Sequence, residues 1–152
     1  MPEGIGTVVV GCDGTPDTDP ALRFAADEAQ LRHADLVVVV AYYRPIDPDV
    51  DDFDTPRPVL QQQARDRTET CLRRALHGSG GELPGYQIIA GEGDPAQLLL
   101  DNASGAALVV IGAHQRSFLQ RMFSQPTSRH LLRDAEVPVV IVPGRAAVDS
   151  GH

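Results

Sequence analysis

Two periods of apolar residues alternate along the chain. Thr7 to Cys12 (TVVVGC), Leu36 to Ala41 (LVVVVA), Tyr86 to Ala90 (YQIIA), Leu108 to Ile111 and Val137 to Val142 are short runs rich in β-branched residues. Each has the length of a strand and is bounded by turn residues. Val109 to Ile111 and Val139 to Val142 are apolar without a break, the signature of strands covered on both faces in a parallel sheet. Between the runs the spacing becomes helical. Ala21, Leu22, Ala25, Ala26, Ala29 and Leu31 line a helix that starts at Asp19 or Pro20, with Thr18 or Asp19 as N-cap and Pro20 in the first turn, where its missing N–H does no harm. His33-Ala34-Asp35 breaks that pattern. A second helix, Val59 to Leu76, presents Leu60, Ala64, Cys71, Leu72, Ala75 and Leu76 to a core. A third follows Asp94 as N-cap and Pro95 as first residue, with Ala96, Leu98, Leu99 and Ala103 inward, and a fourth spans about Pro126 to Asp134.

Five strands alternating with four helices predict an α/β fold, a doubly wound parallel sheet with helices on both faces. One domain accounts for the whole length, residues 1–152, with a core of about 5–143 and a frayed tail over 144–152. Ligands of such sheets sit beyond the carboxyl ends of the strands. The loop from Gly112 to Ser128, between the fourth strand and the fourth helix, is therefore the expected site.

Charge and composition exclude several classes of function. The 152 residues carry a formal net charge of −8, a field that repels nucleic acid and anionic membranes. No apolar stretch is long enough to span a bilayer, and MPEGIGTVVV lacks the basic and apolar parts of a leader, so a soluble cytoplasmic protein is expected. Cys12 and Cys71 stand in unrelated contexts and suggest neither a disulfide framework nor a zinc site; Cys12 reads as a small buried residue. Tyr42 to Pro58 is proline-rich and acidic. Its Asp49, Asp51, Asp52 and Asp54 lack the glycine and terminal glutamate of an EF-hand, which leaves a solvated loop rather than a calcium site. Asp13, His114 and Ser128 all fall near the carboxyl edge of the sheet, yet no G-x-S-x-G elbow accompanies them and Ser128 lies within a helical turn, so no hydrolase triad is expected. Gly91-Glu92-Gly93 precedes a helix as a phosphate loop would, but Asp94 would repel an anion there.

Three blocks carry a family resemblance: VVVGCDGTPDTDPALRFAADEA, GEGDPAQLLLDNASGAALVVIGAH and SRHLLRDAEVPVVIVP. In this order and at these separations they resemble the universal stress proteins over nearly the full length. The resemblance implies strand order 3-2-1-4-5, a non-catalytic stress-response role, and a homodimer joined through the last strand, Val137 to Val142. Such an edge strand has ladder groups that a two-fold mate would cover. Many members of the family bind ATP through a loop G-x2-G-x9-G-[ST] with a further serine close behind. Laid on this chain without gaps, the first glycine is Gly112, but the next positions fall on Gln115, Gln125 and Pro126, with Ser128 as the later serine. Side chains at Gln115 and Gln125 penalise positive φ by about 1–2 kcal/mol and crowd the phosphate path. Pro126 has neither an amide N–H nor a hydroxyl. Two donors are lost, each worth about 1.5–3 kcal/mol to a charged phosphate, which weakens ATP by about a hundredfold or more.

Other positions of the resemblance persist. Asp13 matches the aspartate that contacts the adenosine end, or it caps its own turn. Val40 lies where the second strand flanks the base, or it is plain core. Arg116, with Arg129, either supplies phosphate charge or belongs with Arg121 to a solvated surface, and Thr127 and Ser128 offer hydroxyls at a helix start or merely cap it. Two readings follow: a binding protein that acts through an unknown protein partner with ATP binding weak or lost, or a switch that takes ATP, AMP or cyclic AMP.

Overall fold

The computed structural model of the chain describes residues 6–42, 56–77, 85–112 and 137–143. Five strands form one sheet: β1 (Thr7–Cys12), β2 (Asp35–Tyr42), β3 (Tyr86–Glu92), β4 (Leu108–Gly112) and β5 (Val139–Val142). Every neighbouring pair is parallel and the order is β3-β2-β1-β4-β5, the expected α/β arrangement. The helices are α1 (Asp19–Arg32), α2 (Arg57–Leu76) and α3 (Pro95–Asp101). The fourth helix, from about Pro126 to Asp134, lies outside the described residues.

The two-residue period of the strands divides the core into two layers. Val8, Val10, Leu36, Val38 and Val110 face α1 and α2, whereas Val9, Val37, Val39, Val109 and Ile111 face α3. A parallel sheet whose helices switch sides in this way has a crevice where the order reverses, here between β1 and β4.

Pairing extends two strands beyond their apolar runs. β2 reaches from Asp35 to Tyr42, and β3 continues through Gly91 and Glu92, because Ala41 and Tyr42 pair with them in register. Gly91 therefore belongs to the sheet and not to a phosphate turn. A Cβ there would come within 2.8 Å of Leu98 Cδ1, so this glycine lets α3 close on β3. Helix α2 likewise starts earlier than its apolar pattern, at Arg57 with Pro56 as N-cap and Pro58 in the first turn, where no amide partner is needed. β5 begins at Val139, and its side chains are partly exposed rather than covered on both faces, Ile141 to 47%. An edge strand has a neighbour on one side only, which apolar composition does not reveal.

Helix α1 ends at His33, which takes φ 54° as the residue after the last turn, with Ala34 N–H bonding the Ala29 carbonyl at 2.8 Å. This left-handed closure suits glycine best. His33→Gly should raise the unfolding free energy by about 1 kcal/mol in urea titration; an unchanged or lowered midpoint would show that the His33 side chain compensates for the strain.

The two edges of the sheet differ. Gly85 C=O accepts from Leu36 N–H, so the alternate carbonyls of β3, those of Ile88 and Ala90, point outward. Arg65 Nη1 donates to the first at 2.7 Å and Gln61 Nε2 to the second at 2.9 Å, which blocks that edge. On β5, Val109 N–H bonds the Pro138 carbonyl, so the backbone groups of Val139 and Ile141 point away from β4. No described residue pairs with them.

Candidate functional site

The site is built from the carboxyl ends of β1 and β4. The two strands pair as far as Val10 opposite Val110, and the Asp13-Gly14 turn and Gly112 lie at their carboxyl ends, where strand order reverses. The turn is well defined. Asp13 Oδ1 accepts from Thr15 N–H at 2.9 Å and from Thr15 Oγ1 at 2.7 Å, and Gly14 takes φ +81°. Asp13 thus holds its own turn with its carboxylate at an exposed position. Gly112 is the last residue of β4, buried and paired with Val142.

Val40 pairs with Cys12 and Ala90, and its side chain is 2% exposed within the core under α1 and α2. What it contributes to the edge is a packed support for β1. Arg116, Thr127 and Ser128 lie outside the described residues, as do Gln115, Gln125, Pro126, His114, Arg121 and Arg129.

The structure brings together residues that no spacing in the sequence connects. Helix α2 runs from the β3 edge, where Gln61 and Arg65 are anchored, to the end of β1. There a Cβ on Gly14 would lie 3.5 Å from Arg67 Nε, which puts a guanidinium against the Asp13 turn. One turn further on, Cys71 meets Cys12. Both are free and buried. Cys12 Sγ lies 3.6 Å from Thr18 Oγ1 and accepts from Gly14 N–H at 3.4 Å, while Arg74 Nη2 donates to Cys71 Sγ at 3.3 Å. Arg74 also forms a two-point pair with Asp19 at the start of α1, at 2.7 and 3.1 Å. A hydrogen bond from the Cys12 thiol, with the Arg74 charge beside it, lowers the Cys71 pKa to about 7 against the opposing effect of burial. Sharing its proton with Cys71, together with burial, pushes Cys12 well above the ordinary thiol range. Beside this cluster a groove of about 590 Å³ is lined by Pro20, Phe24, Arg74 and Val142 among others.

Among the described residues no group of three His, Cys, Asp or Glu side chains could hold a metal ion, and no helix is long and apolar enough to cross a membrane. The arrangement offers an oriented carboxylate, backbone at the ends of two strands and the Arg67 guanidinium beside the turn. These are means of binding.

The model of the Usp family, described as the universal stress protein family, matches residues 4–143. The chain belongs to the universal stress protein family. A universal stress protein of Mycobacterium tuberculosis is 33% identical over 141 residues, covering 88% of this chain and 43% of that protein. This universal stress protein thus spans less than half the length of the known relatives it matches first. Among solved structures, a universal stress protein family member from Burkholderia pseudomallei superposes with a TM-score of 0.62 at 26% identity, covering 94% of this chain and 99% of the other. A universal stress protein in complex with cAMP gives 0.53 at 23% identity, with 91% and 96% covered, and shares the fold.

Proposed function

We propose that this universal stress protein is a non-catalytic, cytoplasmic regulatory protein that binds an adenine nucleotide by its adenosine end and discriminates against the triphosphate. The observation that carries this reading is the asymmetry of the crevice. Its β1 side presents an Asp13 carboxylate oriented by Thr15, whereas the loop sequence after Gly112 that would cradle the outer phosphates carries Gln115, Gln125 and Pro126. The fold it shares with a cAMP-bound relative supports a ligand with a single phosphate. Arg116, Thr127 and Ser128 are assigned to that phosphate, where one charge and two hydroxyls suffice.

Substitution at Asp13 tests the adenosine end. Asp13→Ala should weaken AMP by about ten- to a hundredfold in calorimetric titration, the worth of a hydrogen bond to a charged group. Asp13→Asn keeps an acceptor for Thr15, and therefore the turn, but loses the charge; a comparable weakening in both variants assigns the carboxylate to the ligand. Full affinity in Asp13→Asn would reduce Asp13 to a turn former.

Oligomeric state belongs to the same reading. Because Arg65 and Gln61 occupy the β3 edge, a second copy has β5 to pair with, and the half-exposed Ile141 would be covered there. The greater length of the relatives, with room for two such units, fits a paired arrangement. Light scattering at micromolar concentration should give a dimer. Ile141→Pro removes an outward N–H while sparing the bonds to β4, and should give a folded monomer; a wild-type monomer, or a variant that still dimerises, would contradict pairing through β5.

A further inference from the structure

We propose that Cys12 and Cys71 form a thiol–disulfide site that a hydroperoxide oxidises, tying α2 to the Asp13 turn. It stands independently of the nucleotide reading. Both sulfurs are buried in one apolar layer and converge on the start of α1, Cys12 beside the Thr18 hydroxyl and Cys71 through Arg74 on Asp19, and each has a distinct polar neighbourhood. Cys71 has a hydrogen bond from the Arg74 guanidinium at 3.3 Å, whereas Cys12 has the Thr18 hydroxyl and the Gly14 amide. A thiolate is the nucleophile, and a neighbouring guanidinium favours it. Cys71 is therefore the attacking sulfur and Cys12 the resolving one. Asp19 is engaged by Arg74 through both carboxylate oxygens, which keeps the cation in place, and the Arg67 guanidinium lies by the Gly14 side of the cluster.

Access comes from the groove lined by Pro20, Phe24 and Arg74. Cys71 is buried, but the Arg74 side chain lying against it is 42% exposed and borders that groove, so the path to the sulfur runs alongside the guanidinium. The chemistry then balances in two steps. The Cys71 thiolate attacks one oxygen of hydrogen peroxide, the O–O bond breaks, and hydroxide leaves and takes up a proton as water, giving a sulfenic acid. The Cys12 sulfur attacks the Cys71 sulfur, an S–S bond forms, the S–O bond breaks, and hydroxide leaves with the Cys12 proton as a second water. Two thiols are oxidised and one peroxide is reduced. Because the Cys12 sulfur accepts the Gly14 amide, the bond alters the turn that positions Asp13.

The test uses the full chain and hydrogen peroxide. Intact mass should fall by two hydrogens, both thiols should disappear together from a count in denaturant, and peptide mapping should join Cys12 to Cys71 within one chain, reversibly with dithiothreitol. Cys12→Ser should stop at a sulfenic acid on Cys71 that dimedone traps, whereas Cys71→Ser should leave Cys12 unreacted. Arg74→Gln should slow thiol loss at neutral pH about threefold, less thiolate being partly offset by a more nucleophilic one. Arg73→Gln, on an exposed ion pair with Glu69, should leave the rate unchanged. Two free thiols after peroxide in protein with native circular dichroism, bonds only between chains, or a sulfenic acid on Cys12 instead of Cys71 would overturn the proposal.

Discussion

Replacing Gln115, Gln125 and Pro126 together by Gly, Gly and Ser is expected to raise the affinity for ATP by about a hundredfold or more. Two glycines permit positive φ and close backbone approach, and a serine restores an amide and a hydroxyl at the start of a helix. Two donors to a charged phosphate are worth about 3–6 kcal/mol together. AMP should change by no more than about threefold, because its single phosphate depends little on donors aimed at the outer two. Calorimetric titration of both nucleotides against wild type and triple variant reads the ratio directly. An ATP affinity that does not move would show that the three residues are not what limits it.

The second large effect concerns the core. Leu22 is fully buried on the inner face of α1, in the layer with Val8, Val10 and Leu36. Leu22→Ala should cost about 2–5 kcal/mol, transfer and cavity terms together, and lower the melting temperature by about 10 °C for a domain of this size. Leu31, on the same helix, is 76% exposed. Leu31→Ala should stay within about 0.5 kcal/mol. Urea unfolding of the two variants side by side checks the placement of the core; equal losses would mean that the orientation of α1 is wrong.

Leu31 also shows what the sequence conveys and what it does not. Helical spacing places Leu31 with the inward residues of α1, yet the helix turns it to solvent, because one leucine at the margin of an apolar stripe can lie on either side. The strands are more legible. β-branched runs such as Val8-Val9-Val10 and Val37 to Val40 have one stable place, a sheet covered on both faces, and the register follows from that burial. Gly91 illustrates the reverse. Its neighbours Glu92 and Gly93 read as a turn, but seven paired residues between β2 and β3 outweigh that preference, and the glycine serves contact with Leu98.

The site divides in the same way. Asp13 and Gly112 can be located from the strands that precede them, because a residue at the carboxyl end of a parallel strand must lie at that edge. The meeting of Cys12 with Cys71, and of Arg67 with Gly14, cannot. Both depend on the angle at which α2 crosses from β3 to β1, and that angle is set by Gln61 and Arg65 bonding backbone carbonyls of β3 and by Arg74 pairing with Asp19. Polar side chains that orient a helix leave no periodic trace in its sequence.

Calorimetric titration of the wild-type protein with cyclic AMP, AMP and ATP under one set of conditions decides whether the protein prefers a monophosphate. An oriented aspartate at the end of β1 and a loop sequence short of two phosphate donors predict that a monophosphate binds at least about tenfold more tightly than ATP. ATP bound more tightly than either monophosphate, or no heat from any of the three, would contradict it.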